Sequence, residues 1–203
     1  MKKHLIRIVG GEYRRTPIPV VEGTGLRPTP DRVRETLYNW LQHLWNSDFS
    51  DKRVLDLFAG SGALGFEAAS RGATHVQMVE NNPAAVAALR ALQTRLHAGH
   101  VSIMAGDARS AIKQMPSAAF DLILLDPPFG RNWLDELWAL LPSILAPCGL
   151  IYVESEKAVT PPEPFEIVRQ NRAGHVYFHL IRFAAPQKTV NNLSQPSLNS
   201  ESA

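Results

Sequence analysis

From Lys52 onward, short apolar runs alternate with helical stripes. RVLDLF (53–58), HVQMVE (75–80), HVSIMAGD (100–107), FDLILLD (120–126) and LIYVESE (150–156) have the length and near-continuous apolar character of strands buried on both faces. Between them lie GALGFEAASR (62–71), PAAVAALRALQTRLHA (83–98) and WLDELWALLPSIL (133–145), which read as helices, the second on its strong alanine, leucine and arginine propensity. This β-α-β-α order predicts a parallel sheet covered by helices on both faces. PFEIVRQNRAGHVYFHLIRF (164–183) holds two strand-like runs around Asn171 to Gly174, which predicts an antiparallel hairpin closing one sheet edge.

Two regions stand outside the alternation. LIRIVGGEYRRTPIPV (5–20) predicts a small β-hairpin with Gly10 and Gly11 at its turn. A Pro/Gly-rich connector then leads to a helix over about 31–45, with Val33, Leu37, Trp40, Leu41 and Leu44 on one stripe. PQKTVNNLSQPSLNSESA (186–203) is polar and of low complexity, the composition of a disordered tail. The chain therefore divides into a basic hairpin extension (1–25), a main α/β domain (26–185) and the tail (186–203).

Charge sharpens the picture of the amino-terminal region. Residues 1–36 carry eight Lys and Arg against four Asp and Glu, while the whole chain is only +2. A basic segment on a near-neutral body suits contact with a polyanion, with Arg7, Arg14 and Arg15 as candidate nucleic-acid contacts. No apolar run reaches the roughly 18 residues a membrane span needs. No secretory h-region precedes Gly10. Cys148 is the only cysteine, so an internal disulfide is excluded and a reducing, cytoplasmic setting is expected. No histidine or cysteine grouping has metal-ligand spacing, so no metal is expected.

The chemistry concentrates at strand ends. Gly60, Gly62 and Gly65 form a G-x-G-x-x-G spacing after the first strand of the alternation, where backbone can approach a ligand and aim free N–H groups at it. Phe58 and Ala59, just before Gly60, belong to the same candidate cofactor site. Glu80, twenty residues past Gly60 and followed by Asn81, is placed to accept from ribose hydroxyls. These parts suit either a nicotinamide dinucleotide or S-adenosylmethionine. Asp56 favours the second, because its carboxylate would repel a pyrophosphate but stabilise an ammonium or sulfonium. Asp107, followed by Ala108, is placed either to accept from an adenine amino group or to cap the next helix.

FDLILLDPPFG (120–130) ends a buried strand in an acid and two prolines. In open α/β sheets ligands bind at carboxyl ends of strands near the switch point, and Asp126 stands at such an end. An amine conjugated to a base ring is a poor nucleophile, and two acceptors aimed at its hydrogens would help it. The Asp126 carboxylate is one and the Pro127 carbonyl the other, fixed in direction because Pro128 restricts the residue before it. Phe129 offers a face on which an extruded base can stack.

With DPPF in view, the chain resembles the amino-methyltransferases, whose motif is Asp/Asn-Pro-Pro followed by an aromatic. More narrowly it is similar to the RsmD-type 16S rRNA guanine-N2 methyltransferases of bacteria, through RIVGGEYRR (7–15), GLRPTPDRVRETLYNWL (25–41), LDLFAGSGALGFEAASRGA (55–73), DLILLDPPF and IYVESE. The resemblance implies a Rossmann-like class I methyltransferase fold with a mostly parallel seven-stranded sheet. It implies S-adenosylmethionine as donor and a guanine N2 of 16S rRNA, naked or in the assembled small subunit, as target. It also implies that Thr29 and Arg32 lie near the cofactor or the catalytic loop. Competing expectations are a DNA adenine methyltransferase, a nicotinamide-dependent oxidoreductase and an RNA-binding module without turnover. Absence of a target-recognition domain disfavours the first, Asp56 with the double proline the second, and intact Asp126 the third.

Overall fold

The computed structural model describes residues 6–20, 29–128 and 132–184. Five parallel strands make its frame: β3 (Arg53–Asp56), β4 (His75–Glu80), β5 (Val101–Ala105), β6 (Phe120–Leu125) and β7 (Leu145–Ser155). With β8 (Phe165–Ala173) and β9 (Val176–Phe183) they form a seven-stranded sheet in the order β5-β4-β3-β6-β7-β9-β8, where β9 runs antiparallel to both neighbours. The winding reverses between β3 and β6, opening a cleft beyond their carboxyl ends.

Strand alternation divides the core in two. Val54, Met78, Leu122, Leu124, Leu150 and Tyr152 face α1 (Asp31–Leu44), α2 (Ala63–Ser70) and α3 (Pro83–Arg95). Leu55, Val79, Ile123, Leu125, Ile151 and Val153 face α4 (Ala108–Ile112), α5 (Trp133–Leu137) and α6 (Leu141–Ile144). Side chains on every central strand are thus buried on both sides, which is why their runs carry almost no polar residue before the last position.

Three local expectations need correction. The helix expected over 133–145 is two short helices, because Pro142 lacks an N–H and its ring collides with the carbonyl four residues back, so it sits in the first turn of α6 instead. Strand β7 starts at Leu145, five residues early, through a register shift that carries exposed Cys148 at φ +62°. On α1 the buried stripe is Val33, Arg34, Leu37, Tyr38 and Leu41, while Leu44 is exposed and Trp40 stacks on Phe178 at its margin.

The amino-terminal hairpin pairs β1 (Ile6–Arg7) with β2 (Pro17–Ile18). Its long loop lies on the carboxyl-terminal half of α2. Val9 N–H and Gly10 N–H donate to the Glu67 carboxylate at 2.7 and 2.9 Å, and Tyr13 N–H donates to Ser70 Oγ at 2.8 Å. Ile6, Ile8 and Ile18 are buried in the core on that face. The expected tail over 186–203 lies outside the described residues. Among those residues, no helix is long and apolar enough to cross a membrane.

Candidate active site

Beyond β3 the chain turns through residues 57–62. Leu57 N–H still donates to Leu124 O, and Ala59 N–H to Val79 O. Gly60 and Gly62 have φ of +53° and +81°, a left-handed backbone that side chains resist. A Cβ on Gly62 would come within 2.5 Å of Leu89 and 2.7 Å of Phe66. On Gly65 it would come within 2.6 Å of Met78 and 3.1 Å of Asp56 Oδ2, so this glycine lets α2 lie flush on the sheet.

Glu80 braces the turn from the neighbouring strand. Its Oε2 accepts from Gly60 N–H at 2.8 Å and its Oε1 from Asn82 N–H at 2.8 Å. Each oxygen keeps a second lone pair for a ligand hydroxyl. Asn82 caps α3 through Ala84 and Ala85, and Asn81 is exposed on the rim. Asp107 Oδ1 accepts from Ser110 N–H at 3.1 Å and caps α4, and the Ser110 hydroxyl first, with that N–H second, holds its carboxyl below the usual range. Ala108 is buried behind it, and Phe58 meets Trp133 edge-on at 5.3 Å.

Four carboxyl side chains stand at the ends of four adjacent parallel strands. They are Glu80 on β4, Asp56 on β3, Asp126 just past β6 and Glu154 on β7. Asp56 is level with Leu124 and Leu124 with Tyr152, so Asp126 and Glu154 rise together two residues further on. Asp56 is 1% exposed: its Oδ2 accepts from Gly65 N–H at 3.0 Å, while its buried Oδ1 has no partner among the described residues. Burial, reinforced by the nearby Asp126 charge, pushes the Asp56 carboxyl up to about 7. Burial likewise pushes Asp126 up to about 7, against the pull of Thr29, whose hydroxyl lies 3.4 Å from Asp126 Oδ2.

Pro127 is buried and Pro128 exposed. No hydrogen bond from the described residues reaches the Pro127 carbonyl. Phe129 lies outside the described residues. Thr29 is buried against Asp126, whereas Arg32 is exposed on α1 and makes no side-chain bond within the described set. The buried arginine of that helix is Arg34, two residues on: its Nη2 donates to Arg7 O at 2.9 Å and to Asp31 at 2.5 Å.

Asp56, Glu80, Asp126 and Thr29 therefore meet around one cleft. Exposed Arg7 lies 3.7 Å from Asp31, and Arg14 and Arg15 are exposed on the hairpin loop. That loop sits at the far end of α2 from Gly62, about 12 Å of helix away. Sequence reasoning passed over Glu154 and Tyr152. Tyr152 Oη donates to Glu154 Oε1 at 2.9 Å, with both side chains buried. The available signal was an acid closing an otherwise apolar strand, in step with Asp126 on its neighbour.

Residues 6–182 match a family described as "Conserved hypothetical protein 95". The chain is 41% identical over 180 residues to ribosomal RNA small subunit methyltransferase D of Escherichia coli K12, covering 86% of this chain and 88% of that protein. It is 37% identical over 182 residues to the protein of the same name from Haemophilus influenzae, covering 86% and 92%. Among solved structures, Escherichia coli yhhF, described as a candidate methyltransferase, superposes with a TM-score of 0.77 at 39% identity, covering 89% of this chain and 99% of that one. A structure described as a candidate methyltransferase complexed with S-adenosylhomocysteine, 18% identical, superposes with a TM-score of 0.59 and shares the fold.

Proposed function

Because this chain belongs to the family of ribosomal RNA small subunit methyltransferase D, we propose that it methylates the exocyclic N2 amine of a guanine in 16S rRNA, with S-adenosylmethionine as donor. The observation that carries the reading is the pairing of Asp56 and Asp126. Buried Asp56 and half-buried Asp126 close a cleft between β3 and β6, beside a glycine turn, and one buried oxygen of Asp56 lacks a partner among the described residues. A carboxylate oxygen left without a donor in the interior calls for a ligand that brings positive charge.

The residues fit the donor. The glycine turn admits backbone-close contact, Glu80 has lone pairs left for ribose hydroxyls, and Asp56 Oδ1 can face a cationic methionyl group. Arg32, Phe58, Ala59, Asn81, Asp107 and Ala108 form the remaining rim of this proposed pocket. When bound, S-adenosylmethionine supplies a methyl group activated by a sulfonium.

On the acceptor side, the Asp126 carboxylate and the Pro127 carbonyl take the two amine hydrogens. Fixing both keeps the nitrogen lone pair directed at the methyl carbon rather than into the ring. Asp126 then accepts the proton that the methylated nitrogen gives up, a task suited to a group titrating near neutrality. Phe129 is proposed to stack on the base, and Arg7, Arg14 and Arg15 to hold RNA phosphates. A ribosomal substrate and a lone thiol fit a cytoplasmic protein.

The test is incubation with labelled methyl donor and small subunits, or their naked 16S rRNA, from cells lacking the protein. Label on a guanine N2 of 16S rRNA is the expected result. Label on adenine, on DNA, or on no nucleic acid overturns the reading.

A further inference from the structure

The rim of the sheet has two halves. The glycine turn, Glu80 and Asp107 stand past the ends of β3, β4 and β5, which lie together on one side of the winding reversal. With the donor held there, the target base and the RNA strand that carries it lie over the other half, along β6-β7-β9-β8.

Strand register shows what reaches the rim in that half. Val153 is level with Leu125 on one side and His179 on the other. Ser155, Tyr177 and Arg172, in register with one another, therefore stand one residue beyond the level of Asp126. At about 4.8 Å per strand, Tyr177 is about 10 Å and Arg172 about 14 Å along the rim from Asp126. The tip of the β8–β9 hairpin thus lies beside the place where the base reacts. The loop carrying Arg14 and Arg15 does not, since it is bound to the far end of α2 from the glycine turn.

That tip is basic, and its principal cation is already held in place. Residues 167–183 contain three Arg, two His and no Asp or Glu. The Arg172 guanidinium lies over the Tyr177 ring, with Cζ 4.8 Å from the ring centre, and its Nε donates to Gly174 O at 2.8 Å. Stack and hydrogen bond together fix the plane of the group. Its terminal nitrogens, Nη1 and Nη2, have no partner among the described residues, and the residue is exposed. Arginines elsewhere on the sheet and its helices are answered by acids within the fold: Arg182, at the other end of the same hairpin, by Glu166 at 2.7 Å, Arg53 by Asp121 at 3.2 Å, and Arg109 by Glu136. On the connector that follows Ser155, exposed Glu156 is succeeded by exposed Lys157, so that segment brings no net charge to the tip.

We propose that the tip of the β8–β9 hairpin is an RNA-docking element, in which Arg172, braced by Tyr177, holds a backbone phosphate of the strand flanking the target nucleotide. The idea rests on the RNA substrate proposed above. A planar pair of N–H donors matches two phosphate oxygens, and a guanidinium fixed in advance loses less freedom on binding. Nucleic acid is favoured over a protein partner because the tip offers no apolar anchor: exposed Ile167 is the third residue of β8, towards the opposite end of the strand. An arginine on an edge strand also discourages pairing with another chain, and the test separates that role from docking.

The test measures KM and kcat for small subunits, and the salt dependence of binding to naked 16S rRNA. Arg172→Ala is expected to raise KM about tenfold, as loss of one bond between charged groups does. It should flatten the plot of log affinity against log salt by about 0.7–0.9, the share of one phosphate. The effect should fall on KM rather than kcat, and affinity for S-adenosylhomocysteine should match the parent. Arg172→Lys keeps the charge without the fork, so it should restore the salt slope but only part of KM. Tyr177→Leu should raise KM with the slope unchanged, since it removes the brace and not the charge. Arg182→Ala, at the other end of the hairpin, should leave KM and slope at parent values. An unchanged KM and slope in Arg172→Ala, or an equal loss in Arg182→Ala, overturns the proposal. So does self-association of Arg172→Ala with RNA affinity intact, which would make the residue a guard of the sheet edge. A parent protein that methylates no small subunit, yet binds 16S rRNA through Arg172, would instead refute the function proposed above and leave the docking element standing.

Discussion

Removing the Glu67 carboxylate tests how the amino-terminal hairpin is held. Glu67 is fully buried on α2 and surrounded by donors only: Val9 N–H at 2.7 Å, Gly10 N–H at 2.9 Å and Arg71 Nε–H at 2.8 Å. Bonds to an ionised acceptor contribute about 1.5–3 kcal/mol each, and breaking a buried ion pair costs about 3–5 kcal/mol. Val9 and Gly10 are only half-buried, so water can recover part of their loss. A net cost of about 3–4 kcal/mol follows for Glu67→Ala, large against a typical total of about 5–15 kcal/mol. Glu67→Gln should cost nearly as much, because its amide turns an N–H toward a ring of N–H groups.

The loss is local before it is global, since β1 and β2 are two residues each and the loop between them is held to α2 through Glu67 and Ser70. Hydrogen exchange followed by mass spectrometry should show the amides of residues 8–16 losing protection in Glu67→Gln. Affinity for the methyl donor should stay near that of the parent, because Gly60, Glu80 and Asp56 are untouched. Retained protection over 8–16 in Glu67→Gln would refute the donor-ring argument.

Three further outcomes can be measured. Asp126→Ala should keep donor affinity by calorimetry while methyl transfer falls at least about a hundredfold, and near-normal turnover would remove Asp126 from its role. Asp56 and Asp126 are both pushed up to about 7, and a cationic ligand favours their ionised forms. Donor binding should therefore release protons and tighten as pH rises through about 7, read by calorimetry in buffers of different ionisation heat; S-adenosylhomocysteine, without the sulfonium, should release fewer. The same raised values mean that the free protein binds more protons folded than unfolded between the ordinary carboxylate range and about 7. The stability these groups contribute is thus full below that window and lost as pH rises through it. Arg14→Ala with Arg15→Ala should weaken RNA binding and flatten the plot of log affinity against log salt by about 0.7–0.9 for each phosphate no longer neutralised; an unchanged slope would make both arginines bystanders.

Much of the central sheet was legible in the chain because central parallel strands are buried on both faces. A run such as FDLILL has one environment along its length, so local composition suffices to identify it. The glycine turn was legible for a related reason: Gly60, Gly62 and Gly65 answer to backbone conformation and close approach, constraints that act on the residue itself. Where a second element set the outcome, local reading fell short. Pro142 broke a helix that apolar spacing made continuous. Leu44 lost its place on the α1 stripe to Arg34, which is buried because Asp31 and the Arg7 carbonyl are there to receive it.

The sequence alone determined the order of elements, the glycine turn and the identity of Asp126 as the acid at a strand end. Tertiary structure decided what those acids face. It set Asp126 and Glu154 level across β6 and β7, brought Thr29 against Asp126 from a distant part of the chain, and left one oxygen of Asp56 without a donor among the described residues. It also placed the basic hairpin on Glu67 at the opposite end of α2 from the glycine turn. The reason is physical: strand and helix propensities act over a few neighbouring residues, whereas the charge state and orientation of a buried carboxyl depend on every group within a few ångströms, whatever its place in the chain.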